Sequence, residues 1–450
     1  MSQDRSLTRV RVEGLFGRFN HKVDFPEGDT FVIVHGPNGV GKTRLLDLVS
    51  ALAWPVNFTE LARTPFRSLE LQFSDKSVLT VEKTEVQETN GLRFRLCGDQ
   101  VATETWSPRE SDATSDALRR TLLRSSSRHE SLSRRERDLR NLLAHRPHLA
   151  HRSDVDLWDL LSEPNSTIQR DLHEFMSELV PKGLREFLSD FKVHFIDTHR
   201  LRGLQSYEEQ PGRNRTAVSP TKVEEFSKEL RGRLAKALED NSRTSQDLDR
   251  TYPRRLLEEP ADVSEQEIRD RYVAQEEWRR RLGEVSLVDE QTEVIDIPEE
   301  MEPWQRAVLW TYLRDTEDKL STFNDILDRV SLLRDVVNSR FLFKTLEIDG
   351  NQGFKITDDN DKELDLASLS SGEQHELVLT YDLLFNTEPG ALVLIDEPEI
   401  SLHVSWQKTF MRDLQRIAEL VKFRTIIATH SPQIAGKWAD RMVVLGPEAE

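Results

Sequence analysis

The stretch TFVIVHGPNGVGKT, residues 30–43, constrains this chain more than any other part of it. A β-branched run leads into Gly36-Pro37-Asn38-Gly39-Val40-Gly41-Lys42-Thr43, and RLLDLVSALAW follows with helical spacing. The pattern G-x-x-x-x-G-K-[ST] thus stands where its chemistry requires it, between a strand and a helix. Glycines let successive backbone N–H groups turn inward onto phosphate oxygens, the lysine reaches the terminal phosphates, and the threonine hydroxyl is a magnesium ligand. The candidate phosphate-binding residues are Gly36, Asn38, Gly39, Gly41, Lys42 and Thr43, with Mg2+ as an expected cofactor.

Two later segments read as buried strands that end in reactive side chains. ALVLIDEPEISLH, residues 391–403, carries an apolar run into Asp396 and Glu397, whose side chains a regular strand would send to opposite faces. Such a pair is often only a cap. After a phosphate loop it suits a division of labour: Asp396 in the magnesium shell beside Thr43, Glu397 orienting or deprotonating water. FRTIIATHSPQI, residues 423–434, is a second buried strand, followed by His430. In open α/β sheets the loops beyond strand C-termini meet at the ligand crevice, which makes His430 a catalytic candidate with Glu397.

SLSSGEQHELVL, residues 368–379, reads as a helix start, because hydroxyls and glycine suit free backbone N–H groups. Its Ser370 and Gly372 form a further anion-binding candidate, although nothing nearby in the sequence supplies the anion.

The rest of the chain is organised around these motifs. RVRVEGLF, TFVIVHG, LELQF and SVLTVEK make the first hundred residues mostly β. Charged, helix-favouring sequence follows to about residue 340, interrupted by the strand-like KVHFID. Val223, Phe226, Leu230 and Leu234 recur at three and four, as do Leu320, Phe323, Leu327 and Val330, so each set forms one apolar stripe on a helix. Such stripes suit short antiparallel arms or pairing between chains and are too broken for a long coiled coil. The charged, apolar-poor stretch from Gln205 to Pro303 is expected to hold mobile connections. LFKTLEIDGNQGFKITD reads as a hairpin turning at Asp349 to Gly353, and DDNDKELD as a solvated turn without the glycine and distal glutamate of an EF-hand.

Charge sets limits on partners. With 62 basic and 80 acidic residues, the formal net charge is −18, which repels nucleic acid unless basic residues gather locally. They gather between Arg109 and Arg152, a segment with eleven arginines that is either a solvated helical face or a contact for nucleic acid. One cysteine, Cys97, excludes an internal disulfide framework, and no apolar stretch is long enough to span a bilayer. A cytoplasmic, membrane-free protein is the expectation.

Phosphate loop, LSSGEQ, an apolar strand ending in DEP, a downstream SLH and a TH after the next strand occur in this order. Together they resemble the ABC-type ATPase heads of SMC proteins, RecF, double-strand-break repair ATPases and the OLD-like group. The resemblance covers the first fifth and last quarter of the chain. It implies an α/β fold: an ABC-type ATPase head with a P-loop mixed sheet, an N-terminal antiparallel β portion and a large, mostly helical insertion. The implied division is 1–107 and 343–450 for the head lobes, 108–190 for a helical Arg-rich insert, 191–201 for a strand returning to the head, and 202–342 for a helical, short coiled-coil arm.

In that family the signature, here Leu369 to Glu373, completes the ATP site of the opposite protomer in a head-to-head homo-oligomer. Ser371 departs from the glycine of the familiar signature. The family's magnesium-bridging glutamine is expected near FIDTHRL, where this chain has His199, with Gln205 close by. The long insert argues against a transporter. LFG at Leu15 to Gly17, FIDTHRL and DEPEISLHVSWQ are most similar to the stand-alone ATPases of two-component anti-phage systems such as Septu and PARIS. That likeness implies an antiviral defence ATPase controlling a separate nuclease effector, and makes a phage protein a further candidate partner of the Arg-rich segment 109–152; a DNA-gripping repair clamp of the RecF and SMC kind is the alternative.

Overall fold

The computed structural model describes residues 5–26, 28–86, 89–98, 103–107, 180–197, 221–258, 263–288, 297–298, 300–400, 402 and 404–446. The chain divides into two compact units: Met1–Leu201 with Thr387–Ile400 and Gln407–Glu450, and Arg202–Asn386 with Ser401–Trp406. The arginines between 109 and 152, His199, Gln205, Ser401 and His403 all lie outside the described residues.

The first unit holds two sheets. One is antiparallel, in the order β2-β1-β4-β5-β6-β7, from β1 (Leu7–Leu15), β2 (Phe19–Asp24), β4 (Ser68–Phe73), β5 (Val78–Val86), β6 (Thr89–Cys97) and β7 (Glu104–Trp106). The other is parallel throughout, in the order β14-β3-β13-β12-β8, from β3 (Phe31–His35), β8 (Val193–Asp197), β12 (Leu392–Asp396), β13 (Arg424–Thr429) and β14 (Met442–Val444). Every residue of β12 is buried, as an apolar run covered on both faces requires.

Helix α1 (Lys42–Ser50) buries Leu45, Leu46, Leu48 and Val49, and each such side chain contributes about 1.5–3 kcal/mol. They share one core with Leu69, Leu71, Val81 and Phe94 of the antiparallel sheet, with Leu394 and Ile426 of the parallel one, and with Leu184 and Phe187 of α3 (Lys182–Asp190). A short α2 (Phe58–Arg63) starts at Asn57, whose side chain accepts from Glu60 N.

Beyond the strands that the sequence predicts, β2, β6 and β7 complete the antiparallel sheet. β2 hides its alternation because one inward slot is filled by His21.

The second unit is helical around a small sheet. In it α4 (Lys222–Glu258), α5 (Glu265–Gly283), α6 (Pro303–Ser321), α7 (Asn324–Asn338) and α8 (Ser371–Tyr381) accompany β9 (Lys344–Asp349), β10 (Gly353–Asp358) and β11 (Glu363–Leu364). Both apolar sets are buried, but the second is not one helical stripe: Leu320 lies on α6, Leu327 and Val330 on α7, and Phe323 in the break between them. α4 runs antiparallel to α6: Asn241 donates to Lys319 O at 2.6 Å, while Arg255 reaches Asp315 farther back along α6. Both sets therefore find partners within the chain.

The expectation of mobile connections from Gln205 to Pro303 is corrected here, because α4 and α5 occupy much of that stretch. α5 is built from short-range ion pairs such as Arg279–Glu276 at 2.6 Å and one buried edge of Ile268, Tyr272 and Leu282, so low apolar content did not mean irregular chain.

The β9–β10 hairpin forms as predicted, with Asp349 level with Gly353. Gly353 has φ +88°, and an added Cβ would lie 2.1 Å from Ser227 O, so no other residue fits. No helix among the described residues is long and apolar enough to cross a membrane.

Candidate functional site

The strands β3, β13 and β12 lie side by side in one direction, with His35 level with Thr429 and Asp396 level with Ala428. The three loops that follow them therefore leave from one sheet edge. That edge gathers the phosphate loop, the acidic turn after β12 and the turn carrying His430, which is how sequence-distant motifs become one site.

Glycine is required in the phosphate loop for two different reasons. Gly39 and Gly41 have φ of +87° and +92°, the left-handed region that side chains resist. Gly36 is instead excluded from change by space: an added Cβ would lie 2.4 Å from Leu445 O. The loop is further braced by buried His21, whose Nε2 donates to Val40 O at 2.7 Å.

Lys42 lies back over this loop, donating through Nζ to Gly36 O at 2.8 Å and Pro37 O at 3.2 Å, and is only 5% exposed. Asn38 and Gly39 are exposed at its tip. α1 then begins at Gly41 with no side-chain cap and no acid in its first turn, leaving a positive helix end bare for an anion.

Thr43 Oγ1 donates to Asp396 Oδ2 at 2.8 Å. Two hard oxygen donors thus sit within reach of one small cation, and Mg2+ uses one or two such protein ligands with phosphates and water filling the rest. The residues present fit that ion.

Glu397 departs from the strand alternation that the sequence suggests. β12 ends at Asp396, and Glu397 has φ +46°, so the pleat does not set its direction. Its backbone N–H donates to Ala428 O at 2.8 Å, which holds this residue in a conformation that costs about 1–3 kcal/mol elsewhere. Its Oε1 lies 3.7 Å from His430 Nδ1.

A second carboxylate, which the sequence reading missed, sits closer. Glu399 Oε1 is 3.0 Å from His430 Nδ1 and also accepts from Thr429 Oγ1 at 2.7 Å, His430 N at 2.8 Å and Ser431 N at 3.2 Å. The only signal for it was the spacing of two acids either side of Pro398 in DEPE.

The Ser370 turn belongs to the second unit. Ser370 caps α8: its Oγ accepts from Glu373 N at 3.3 Å, and its own N–H donates to Glu373 Oε2 at 2.7 Å. Lys344 Nζ donates to the same Glu373 oxygen at 2.8 Å. An added Cβ on Gly372 would meet only an ordinary contact with the Trp406 ring at 3.9 Å, so packing within this unit does not demand that glycine.

Residues 31–435, well over half the chain, match the family described as "AAA domain, putative AbiEii toxin, Type IV TA system". This chain belongs to that AAA family. The AAA protein is also 34% identical over 90 residues to an Escherichia coli protein called "Retron Ec83 probable ATPase", a match spanning 18% of this chain and 16% of that one. Among solved structures it is similar to the Smc head domain with an extended coiled coil bound to the C-terminal domain of ScpA, derived from Pyrococcus furiosus. That likeness has 12% identity and a TM-score of 0.36, covering 99% of this chain and 94% of that one. The SMC head domain from Thermotoga maritima is similar at 11% identity and a TM-score of 0.34, covering 99% and 100% of the two chains. In this AAA-family ATPase fold the phosphate loop, Asp396, Glu397 and His430 meet at one sheet edge, while Ser370 and Gly372 stand in the other unit.

Proposed function

We propose that the chain is an ATP-binding and ATP-hydrolysing regulatory ATPase of a bacterial defence complex, whose heads pair around ATP and Mg2+ and control a separate nuclease effector. The 2.8 Å bond from Thr43 to Asp396 carries this reading, because it joins the phosphate loop to the acidic strand end that a nucleotide hydrolase needs. The family description, which names a toxin of a toxin–antitoxin system, and the retron-associated relative support the defence role.

In this mechanism the loop amides and Lys42 bind the phosphates. Thr43 and Asp396 would hold Mg2+, which when bound neutralises phosphate oxygens. Glu397 orients the attacking water and accepts its proton, and His430 contacts the terminal phosphate. The Ser370 turn of a second copy closes over that phosphate, so nucleotide state sets whether two acidic subunits stay together.

Glu397→Gln keeps the side chain's shape and removes the base. It should slow phosphate release by about 10²–10⁴-fold and trap a nucleotide-bound pair on light scattering. Turnover equal to the unaltered protein would refute the assignment. Co-purification with the product of an adjacent gene tests the effector.

A further inference from the structure

Two carboxylates stand near the His430 ring, and the nearer is Glu399, at 3.0 Å from Nδ1 against 3.7 Å for Glu397. We propose that Glu399 is the positioning residue of the site: it fixes the orientation and tautomer of the His430 ring and so leaves Glu397 to the water. This rests on the function proposed above.

The geometry makes Glu399 unusually well placed for that task. Its side chain is 6% exposed, and one oxygen accepts from the Thr429 hydroxyl and the amides of His430 and Ser431 while lying 3.0 Å from His430 Nδ1. The same oxygen therefore holds His430 by its backbone and faces its ring. The other oxygen, Oε2, is buried without a hydrogen-bond partner among the described residues. The Glu399 turn is itself held, since Gln407 Nε2 donates to Glu399 O at 3.3 Å while Gln407 Oε1 accepts from Ser431 Oγ at 3.0 Å.

A carboxylate oxygen only accepts, so Nδ1 must carry the hydrogen on the ring edge facing Glu399. Nε2, on the far edge, is then the working atom. It presents a lone pair when the ring is neutral, and an N–H able to donate to a phosphate oxygen when the ring is charged. A carboxylate behind a histidine is a recurrent way to fix tautomer and direction. Glu397, in its left-handed turn, is not needed for this and can face the substrate water.

The rival view is that Glu399 merely caps the turn at residues 429–431. Glu399→Gln separates the two, because an amide oxygen still accepts from the backbone but carries no charge for the ring. Long-range 15N–1H correlation on nucleotide-free protein, with the His430 signals assigned by their loss in His430→Ala, reads the tautomer directly. The expected result is hydrogen on Nδ1 in the unaltered protein and a shift of the population toward Nε2–H in Glu399→Ala. Nε2–H in the unaltered protein, or no change in Glu399→Ala, overturns the proposal.

In phosphate-release assays Glu399→Gln should lower kcat by about 10- to 100-fold with KM little changed, and the Glu399→Gln/His430→Ala double variant should be no slower than His430→Ala alone. Additive losses, or a Glu399→Gln kcat equal to the unaltered protein's, overturn it. A protein whose turnover is absent, or is unaffected by Lys42→Ala, sinks the hydrolase reading instead, and the ring measurement identifies which idea failed.

Discussion

Two helices in this chain start at turns suited to an anion, and they start in opposite ways. α1 opens at Gly41 with no side-chain cap and no acid in its first turn. α8 opens at Ser370 inside a capping box, with Glu373 in its first turn and Lys344 paired to it. The bare helix end is complementary to phosphate as it stands. The capped one has spent its hydroxyl and two of its amides on itself, which leaves the Ser371 and Gly372 amides outside the box. A helix start with serine and glycine is therefore not by itself a phosphate site; what distinguishes α1 is the missing acid and the lysine laid over the loop.

The hardest test of this contrast is Lys42→Ala, which should reduce turnover by about 10²–10³-fold and abolish nucleotide binding measured by calorimetry. Survival of binding would mean that the bare helix end alone suffices. Ser370→Ala should have a smaller, double effect: about 1 kcal/mol of stability lost in urea denaturation from the missing cap, and weaker ATP-driven pairing in the Glu397→Gln background. Loss of stability with pairing untouched would make α8 only a capped helix.

The Glu373 carboxylate gives a subtler reading. Burial raises its pKa, but hydrogen bonds from the Lys344 ammonium and the Ser370 amide outweigh that and hold it below its ordinary 4.5. A carboxyl depressed in the folded state contributes stability above its unfolded value and loses it as pH falls through the folded one. Lys344→Ala should therefore lower stability at neutral pH and shrink the further loss seen on acidifying below 4.5. Equal acid sensitivity in both proteins would remove Lys344 from the account.

Smallest of all, His21→Ala should cost about 0.5–1.5 kcal/mol and raise KM for ATP modestly, since the Val40 carbonyl loses its donor while the loop glycines remain.

The parts legible in the sequence were those whose signal is local. The phosphate loop, the apolar strands β12 and β13, the Ser370 cap and the β9–β10 hairpin each carry their pattern within a few residues. Glu399 was invisible for the opposite reason: its role depends on a turn thirty residues later, brought near only because β12 and β13 pair in parallel. Glu397 misled because alternation assumes a strand, and the chain turns left-handed at that residue. α4 and α5 were underread because ion pairs along a helix surface look, in sequence, like solvated loop.

The packing of Gly36 against the Leu445 carbonyl, with Leu445 N donating to His35 O at 2.7 Å, has a consequence during synthesis. β3 is flanked by β13 and β14, so the floor beneath the nucleotide cradle is supplied by residues made long after the phosphate loop itself. A nascent chain that has emerged only through its early and middle segments holds the phosphate motif without the neighbours that shape it. Such a chain should not capture nucleotide until translation has passed β14, and the site is thereby kept silent while the protein is half made.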